Sequence, residues 1–517
     1  MINHVEKPAR DAEIEALKNR IKELELLLKH YEERFRLSQK KRFGASSEKS
    51  EYDQLSMYIE ELKTTVLEQE EGESETQPVK AHTRKRSRAE MLPADLPVEE
   101  ILCELPAEER VCPDCGGEIQ AIGHECRDEL VVIPAKVMIR RYAACTYACQ
   151  ACTEAFDYTP IIKARLPKSV IKGSFASPEF VAYAAYQKFA MGVPLYRQEQ
   201  EWKRQGVHLS RQTMANWLVY SAEHWLRPLI PELKRRLLLH KAIHADETTF
   251  QVLKEPGKAP QSLSYLWCYR TGGDSEEPIV LAEYKPDRKK ENPSAFLKGF
   301  SGYLHTDGYD AYHKLPTEIV IVGCWAHVRR KWDEALNVVP KSARESSPAL
   351  LGKRYCDRLF AIDRELASLD PHKRHTIRLE RMKPLMDEFF TWAGSIEERP
   401  KSAMGKAISY MFSQRKYLQN VLLDGHLELS NNRAERTIKP FVISRKNFLF
   451  ANTTNGADAA AILFSLIETA KETGIDPLGY LTYVFKSAPS MDMNKHENLQ
   501  ALLPSGYKKE SCSIAHV

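Results

Sequence analysis

The sequence predicts a multidomain α+β protein, in which a mixed α/β core is interrupted by an all-helical insertion and preceded by several small N-terminal modules. Three observations predict it. At 517 residues the chain is long enough for three or four cores at roughly 150 residues each. Two Cys-x-x-Cys pairs lie within its first third. After Leu239 the apolar pattern changes from helical spacing to short β-branched and aromatic runs bounded by turn residues.

Composition narrows the class. Apolar residues make up 43% and charged residues 28%, near globular averages, so the chain can bury cores and any disorder should be local. A formal charge of +4 is too small to mark a nucleic-acid binder, so that signal has to come from clusters of Lys and Arg. Residues Met1 to Lys7 lack the apolar stretch of a signal peptide. No window approaches the roughly 18 apolar residues of a membrane span, which predicts a cytoplasmic protein without a membrane partner. In a reducing compartment the 11 cysteines read as thiols or metal ligands rather than disulfides.

Residues 1–66 form the first region. Ile14, Leu17, Ile21, Leu24, Leu28, Tyr31 and Phe35 step by threes and fours, a heptad seam that predicts a short coiled coil and a homo-oligomer through this helix. One amphipathic helix packed on its own domain would show the same stripe. Residues 67–95 pass from an acidic block to a basic one almost without apolar side chains, as a disordered charged linker does. In 96–165, Cys112, Cys115, Cys149 and Cys152 make two knuckles whose tight turns would aim four thiolates at one structural Zn²⁺. The gap between knuckles exceeds the usual 15 to roughly 20 residues, and Cys145, Cys126 and His124 are near enough to substitute.

Residues 166–239 read as helical. Ser177 precedes Pro178 as an N-cap, Pro194 opens a second helix, and after a turn at Gly206 Ser210 caps a third. Helix, glycine turn and capped helix resemble a helix-turn-helix whose second helix would offer Arg211, Gln212 and Asn216 to a major groove; such pairs are also ordinary core architecture.

The core begins at residue 240. Strands are expected at 242–253, 264–270 and 278–284, close enough in sequence to pair antiparallel, then a short helix near 292–299 and strands at 302–306 and 319–324 alternating with helix. That is the order of a ribonuclease-H-like fold over 240–340. The segment 341–428 carries apolar stripes of a helical insertion, including Leu351, Tyr355, Leu359, Ile362, Leu366 and Leu369, and Leu379, Met382, Met386, Phe389 and Phe390. Residues 429–486 complete the core, and 487–517 are polar and expected to be a mobile tail.

Within this order three acids stand out. Asp246 lies inside an apolar strand, where an unpaired charge would cost several kcal/mol. Asp307 ends another strand, and Glu435 lies near the start of a helix that Ser430 or Asn431 could cap. Brought together, they would hold two Mg²⁺ or Mn²⁺ ions through hard oxygen ligands. Glu247 is the weaker candidate because neighbours on a strand point to opposite faces. His327, Arg329 and Arg330 could bind phosphate near the acids, and Arg445 and Lys446 could contact the DNA backbone; a packed histidine and an exposed basic loop fit as well.

At these residues the chain resembles transposases of the insertion-sequence-66 family, found in bacterial mobile elements. The matching stretches are Arg42-Phe-Gly-Ala-Ser-Ser-Glu-Lys, Pro194-Leu-Tyr-Arg-Gln, His244-Ala-Asp-Glu-Thr, Thr306-Asp-Gly-Tyr-Asp-Ala-Tyr, Cys324-Trp-Ala-His-Val-Arg-Arg, Asn431-Asn-Arg-Ala-Glu-Arg and Arg445-Lys-Asn-Phe-Leu-Phe. They follow family order from about residue 30 to 485. The resemblance implies a leucine-zipper-like N-terminus, a zinc-binding domain, a helix-turn-helix and a DDE core with a helical insertion. It carries the acidic triad onto Asp246, Asp307 and Glu435, and the zinc ligands onto the four knuckle cysteines. Ser430 stands where relatives often have Asp, and the chain beyond about Lys486 lies outside the matched stretches. The implied partners are double-stranded DNA, as element ends and target, and accessory proteins of the same element. A metal-dependent nuclease or resolvase without strand transfer, and an end-binding regulator or inactive relative, are the rival readings.

Overall fold

A computed structural model of the protein describes residues 17, 18, 20, 137–148 and 161–508. The heptad seam apart from Leu17, the charged linker and the four knuckle cysteines lie outside the described residues. The chain divides into two units, Glu60–Ala143 and the remainder. Of the first, residues 137–143 are described as exposed coil. In the second, β1 (Thr146–Ala148) and β2 (Ile161–Lys163) form a two-stranded antiparallel sheet.

Three helices follow: α1 (Pro178–Phe189), α2 (Leu195–Arg204) and α3 (Arg211–Ser221). Ser177 and Ser210 cap α1 and α3 by accepting from Phe180 N and Thr213 N, as their positions before the first helical turn dictate. Gly206 sits at φ +80° in the turn between α2 and α3, a conformation that glycine adopts without a Cβ penalty. After α4 (Ile230–Leu237) the chain enters a six-stranded mixed sheet.

That sheet is built from β3 (Ala242–Lys254), β4 (Leu263–Thr271), β5 (Val280–Lys285), β6 (Gly302–Thr306) and β7 (Ile319–Gly323), in the spatial order β5-β4-β3-β6-β7. The first three pair antiparallel, whereas β6 and β7 run parallel to β3. The short helix α5 (Glu291–Phe296) lies between β5 and β6 in sequence, and β8 (Ala451–Thr453) adds to the far end of β3. The long central strand is buried along most of its length, because the sheet is covered on both faces.

One cover is α12 (Thr454–Glu472), reached after helices α6 to α11 described below. Nearly all its residues from Ala457 to Ala470 are buried, the pattern of a helix enclosed on all sides. Ser465 and Thr469 on α12 accept from Ala282 N and Val280 N at 2.8 and 3.0 Å, satisfying groups that the edge strand β5 would otherwise leave open. Buried residues from Val170 to Leu237 run into the same apolar cluster as the sheet and α12, so the 166–239 helices share a core with the strands.

The parallel half of the sheet leads into α6 (Trp325–Val338), then α7 (Pro348–Leu366), α8 (Pro371–Ile377), α9 (Lys383–Gly394) and α10 (Ala403–Gln419). Their apolar stripes make a second cluster around Trp325, Trp332, Tyr355, Phe389 and Met411, with Tyr355 stacked on Phe389 at 4.7 Å. Leu351 and Leu379, expected in those stripes, are instead exposed. The chain returns through α11 (Asn432–Phe448), which contains Pro440 and runs through the basic Ser444–Phe448 segment.

The expected mobile tail is packed as far as residue 508. After α13 (Pro477–Ser487), helix α14 (His496–Leu502) buries Leu502 and Leu503 completely. Tyr480 donates to Leu502 O at 2.9 Å, and Gln500 to Glu232 at 2.7 Å. The polar composition after Ser490 hid three apolar anchors, Leu499, Leu502 and Leu503, that suffice to dock one short helix. Among the described residues no helix is long and apolar enough to cross a membrane.

Candidate active site

The strand register decides where the first two acids lie. On the parallel pair β3–β6, His244 stands opposite His305. Asp246 and Asp307 each follow two residues beyond this last paired position, at the same end of the sheet. On β6–β7, Thr306 stands opposite Gly323, so Cys324 follows beside Asp307 at the same sheet edge. This is the carboxyl end of the parallel strands, where loops are free to carry chemistry.

Glu435 arrives from α11, and its position is set by what precedes it. Asn431 occupies the N-cap but makes no capping bond through its side chain; Ser430 does not cap either. The Asn431 amide instead donates from Nδ2 to Ala245 O at 2.8 Å and bonds His244 Nδ1 through Oδ1 at 3.0 Å. Its backbone N–H donates to Cys324 Sγ at 3.1 Å, while Trp325 N donates to Leu429 O at 3.1 Å. Four bonds thus fasten the start of α11 to β3 and to the end of β7, one turn before Glu435. Behind them His244 stacks on His305 with centroids 4.2 Å apart, and Glu428 accepts from Gly273 N and from Arg433. Burial acts to raise Glu428, but the hydrogen bond from His244 and the nearby positive charges hold it well below the ordinary carboxylate range.

The acids feel one another. Burial raises Asp246 well above its ordinary value; the charges of Glu247, Glu435 and Asp307 add to this, and the Glu247 N–H works against it. Asp246 Oδ2 is buried with no hydrogen-bond partner among the described residues. Asp307 is raised by burial, opposed by the Tyr309 N–H and by the charges of Arg288, His313 and Arg330. Buried oxygens that raise one another's pKa are a donor set for a hard divalent cation, which would remove the repulsion.

Glu247, the weaker candidate from the sequence, is at least as buried as Asp246. It accepts from Tyr312 Oη at 2.5 Å and from Arg288 Nε at 2.6 Å. Burial, helped by Asp307, pushes it up to about 7 despite Arg288 and Tyr312. Arg288 and Tyr312 lie 41 and 65 residues away in sequence, and no local pattern announces them.

A pH dependence follows. The folded chain keeps protons on Glu247 and its neighbours that the unfolded chain releases near pH 4. Their stabilising contribution is therefore complete below the unfolded value and lost as pH rises through the folded one, for Glu247 between about 4.5 and about 7. In chelator-treated protein the melting temperature should fall across that window, less steeply in Glu247→Gln. Identical slopes for the two proteins would remove Glu247 from the buried acidic set.

The other candidates divide. Arg211, Gln212 and Asn216 are all exposed on α3, with Gln212 donating to Asn216 at 2.9 Å. His327 Nδ1 lies 3.8 Å from Glu435 Oε1, and burial, with the charges of Arg330 and Lys331, lowers its pKa to about 3. Arg330 is near enough to act on Asp307. Arg329 donates from Nε to Asp357 on α7 at 2.6 Å, because on a helix it points about 100° away from its neighbour Arg330. Arg445 is buried and donates to Thr249 Oγ1 at 2.7 Å, whereas Lys446 is exposed.

Comparison with known proteins agrees with this layout. Residues 173–459 match the family model described as Transposase IS66 family, and 465–505 the IS66 C-terminal element. Residues 109–153, which span the four knuckle cysteines, match the zinc-finger binding domain of transposase IS66, and 30–101 match Transposase C of IS166 homeodomain. The match therefore continues past Lys486, where the motif resemblance was expected to stop. Three proteins of Sinorhizobium fredii are similar along most of their length, each named an uncharacterized protein. They are y4hP, 29% identical over 489 residues (89% of this chain, 85% of that one); y4qI, 30% over 437 (80% and 76%); and y4jD, 28% over 438 (82% and 83%). With one family model covering more than half of the 517 residues and three more on its flanks, the chain belongs to the IS66 transposase family.

Proposed function

We propose that the chain is a DDE transposase that binds the ends of an insertion element and cuts and joins DNA strands at Asp246, Asp307 and Glu435. The observation that carries this reading is the buried Asp246 carboxylate, whose charge is opposed by those of Asp307 and Glu435. Three antiparallel strands, β3 to β5, followed by two strands parallel to β3, in the order β5-β4-β3-β6-β7, support a ribonuclease-H-like core. Two Mg²⁺ or Mn²⁺ ions held by the three carboxylates would activate the attacking oxygen and steady the departing one. The chain's own residues would do the positioning. Asn431 holds the Glu435 helix against β3, Arg288 orients Glu247, and Arg330 supplies positive charge beside Asp307 where a phosphate would enter.

The remaining assignments belong to the same reading. Cys112, Cys115, Cys149 and Cys152 would bind a structural Zn²⁺, α3 would read element ends, Lys446 would touch the backbone, and the N-terminal helix would pair two copies. Transposition needs two ends held together, which makes at least a dimer the working unit.

The test is a joining assay. Purified protein, Mg²⁺ and a duplex carrying a pre-cut element end should yield end-to-target joined products. Cleavage without joining would leave a nuclease, and end-specific binding with neither would leave a regulator.

A further inference from the structure

We propose that Cys324, His327 and Glu435 form a second kind of metal site, one for Zn²⁺, overlapping the acidic cluster through Glu435 so that Zn²⁺ bound there blocks Mg²⁺-dependent chemistry. The binding half stands on geometry alone, and the blocking half rests on the proposed function.

Cys324 follows β7 and occupies the N-cap position of α6; His327 follows three residues on, inside the first turn, so both side chains face the strand edge. Glu435 enters from the first turn of α11. One ligand atom from each of the three lies within 4.8 Å of the others. Tetrahedral Zn²⁺ with bonds of about 2.0 to 2.3 Å needs its ligands roughly 3.3 to 3.8 Å apart, so modest side-chain rotation closes the set and leaves a fourth position for water. The sulfur is held in place by the Asn431 N–H, and His327 Nδ1 has no hydrogen-bond partner among the described residues. Cys324 itself is buried, but the His327 and Glu435 side chains are 19% and 18% exposed, which gives an ion a way in.

The donor types decide the ion. A thiolate and an imidazole select Zn²⁺ over Mg²⁺, which prefers oxygen alone. Asp246 and Asp307 have no sulfur or nitrogen to offer, so the two preferences separate in space except at Glu435. One carboxylate serving Zn²⁺ is withdrawn from the neighbouring set.

The experiment compares the full-length chain with Cys324→Ser and His327→Gln, with Cys324→Ala as a further variant that keeps the packing, and with circular dichroism to confirm folding. Each protein is stripped with chelator, then loaded with Zn²⁺ for elemental counting or with Co²⁺ for its thiolate charge-transfer absorption. The wild type should hold one metal equivalent more than each variant, and the cobalt band should lose intensity when Cys324 is replaced. In Mg²⁺-supported cleavage, Cys324→Ser should need at least about tenfold more Zn²⁺ for half-inhibition. Equal metal content and equal cobalt spectra in wild type and variants overturn the site. Metal counting does not depend on DNA cleavage, so loss of the transposase reading would leave the binding result standing, and equal Zn²⁺ sensitivity with unequal metal content would overturn only the block.

Discussion

Asp246→Asn should lose Mg²⁺-dependent DNA cleavage by on the order of 10³-fold, the scale of a lost electrostatic contact at a transition state, while melting at a higher temperature than the wild type in chelator. The two effects have one cause. Asparagine keeps the shape and the Oδ1 that accepts from Glu247 N at 2.9 Å, but it removes a charge that burial, Glu247, Glu435 and Asp307 all oppose. A site that must repel itself to attract cations is destabilising until they arrive, a trade between stability and activity seen widely in active sites. Adding Mg²⁺ should raise the wild-type melting temperature more than that of the variant. Cleavage at the wild-type rate by Asp246→Asn would take this residue out of the chemistry.

Gly425→Ala should destabilise the chain by about 3 kcal/mol, the upper part of the usual range for forced overpacking, and reduce activity although residue 425 is ten positions from Glu435. A Cβ at Gly425 would overlap the carbonyl oxygen of Pro371 at the start of α8 and lie 2.6 Å from its carbon. Backbone atoms cannot rotate aside as a long side chain does. The loop is also held from other directions: Arg374 donates to Gly425 O at 2.9 Å, and Asp424 pairs with Lys241 just before β3. Relief must therefore come from moving residues 424–431, which carry Glu428 and Asn431. Gly456→Ala on α12 is the control, since its Cβ would meet only Thr453 Oγ1 at 3.4 Å, an ordinary contact. Equal denaturation midpoints for the two variants would show that the insertion does not clamp this loop.

Much of the architecture was legible from local pattern. The strand at 302–306 was expected at the residues where β6 lies, and β3 extends one residue beyond its expected end, because alternation and turn residues are local signals. Helix starts at Ser177 and Ser210 were equally readable, since a capping hydroxyl and its partner N–H are three residues apart. Glu247 was not. Alternation set it apart from Asp246, but its surroundings depend on Arg288 and Tyr312, which arrive from other elements. Nor were the partners of Arg329 and Arg445 legible, since Asp357 and Thr249 are 28 and 196 residues distant. The tail misled for a related reason, as composition averages over a segment whereas docking needs only a few apolar side chains in one register.

The sequence alone determined the order of the elements and the IS66-like series of motifs, and it supplied three widely separated acids as the candidate set, because each is written in neighbouring residues. Only the tertiary structure decided that Asp246 lies where Asp307 and Glu435 act on its charge, and that Asn431 rather than a cap fixes the Glu435 helix. It also decided that Cys324 and His327 share that helix's carboxylate. These are contacts between atoms 60 to nearly 190 positions apart, and such distances are set by packing, which no window along the chain can encode.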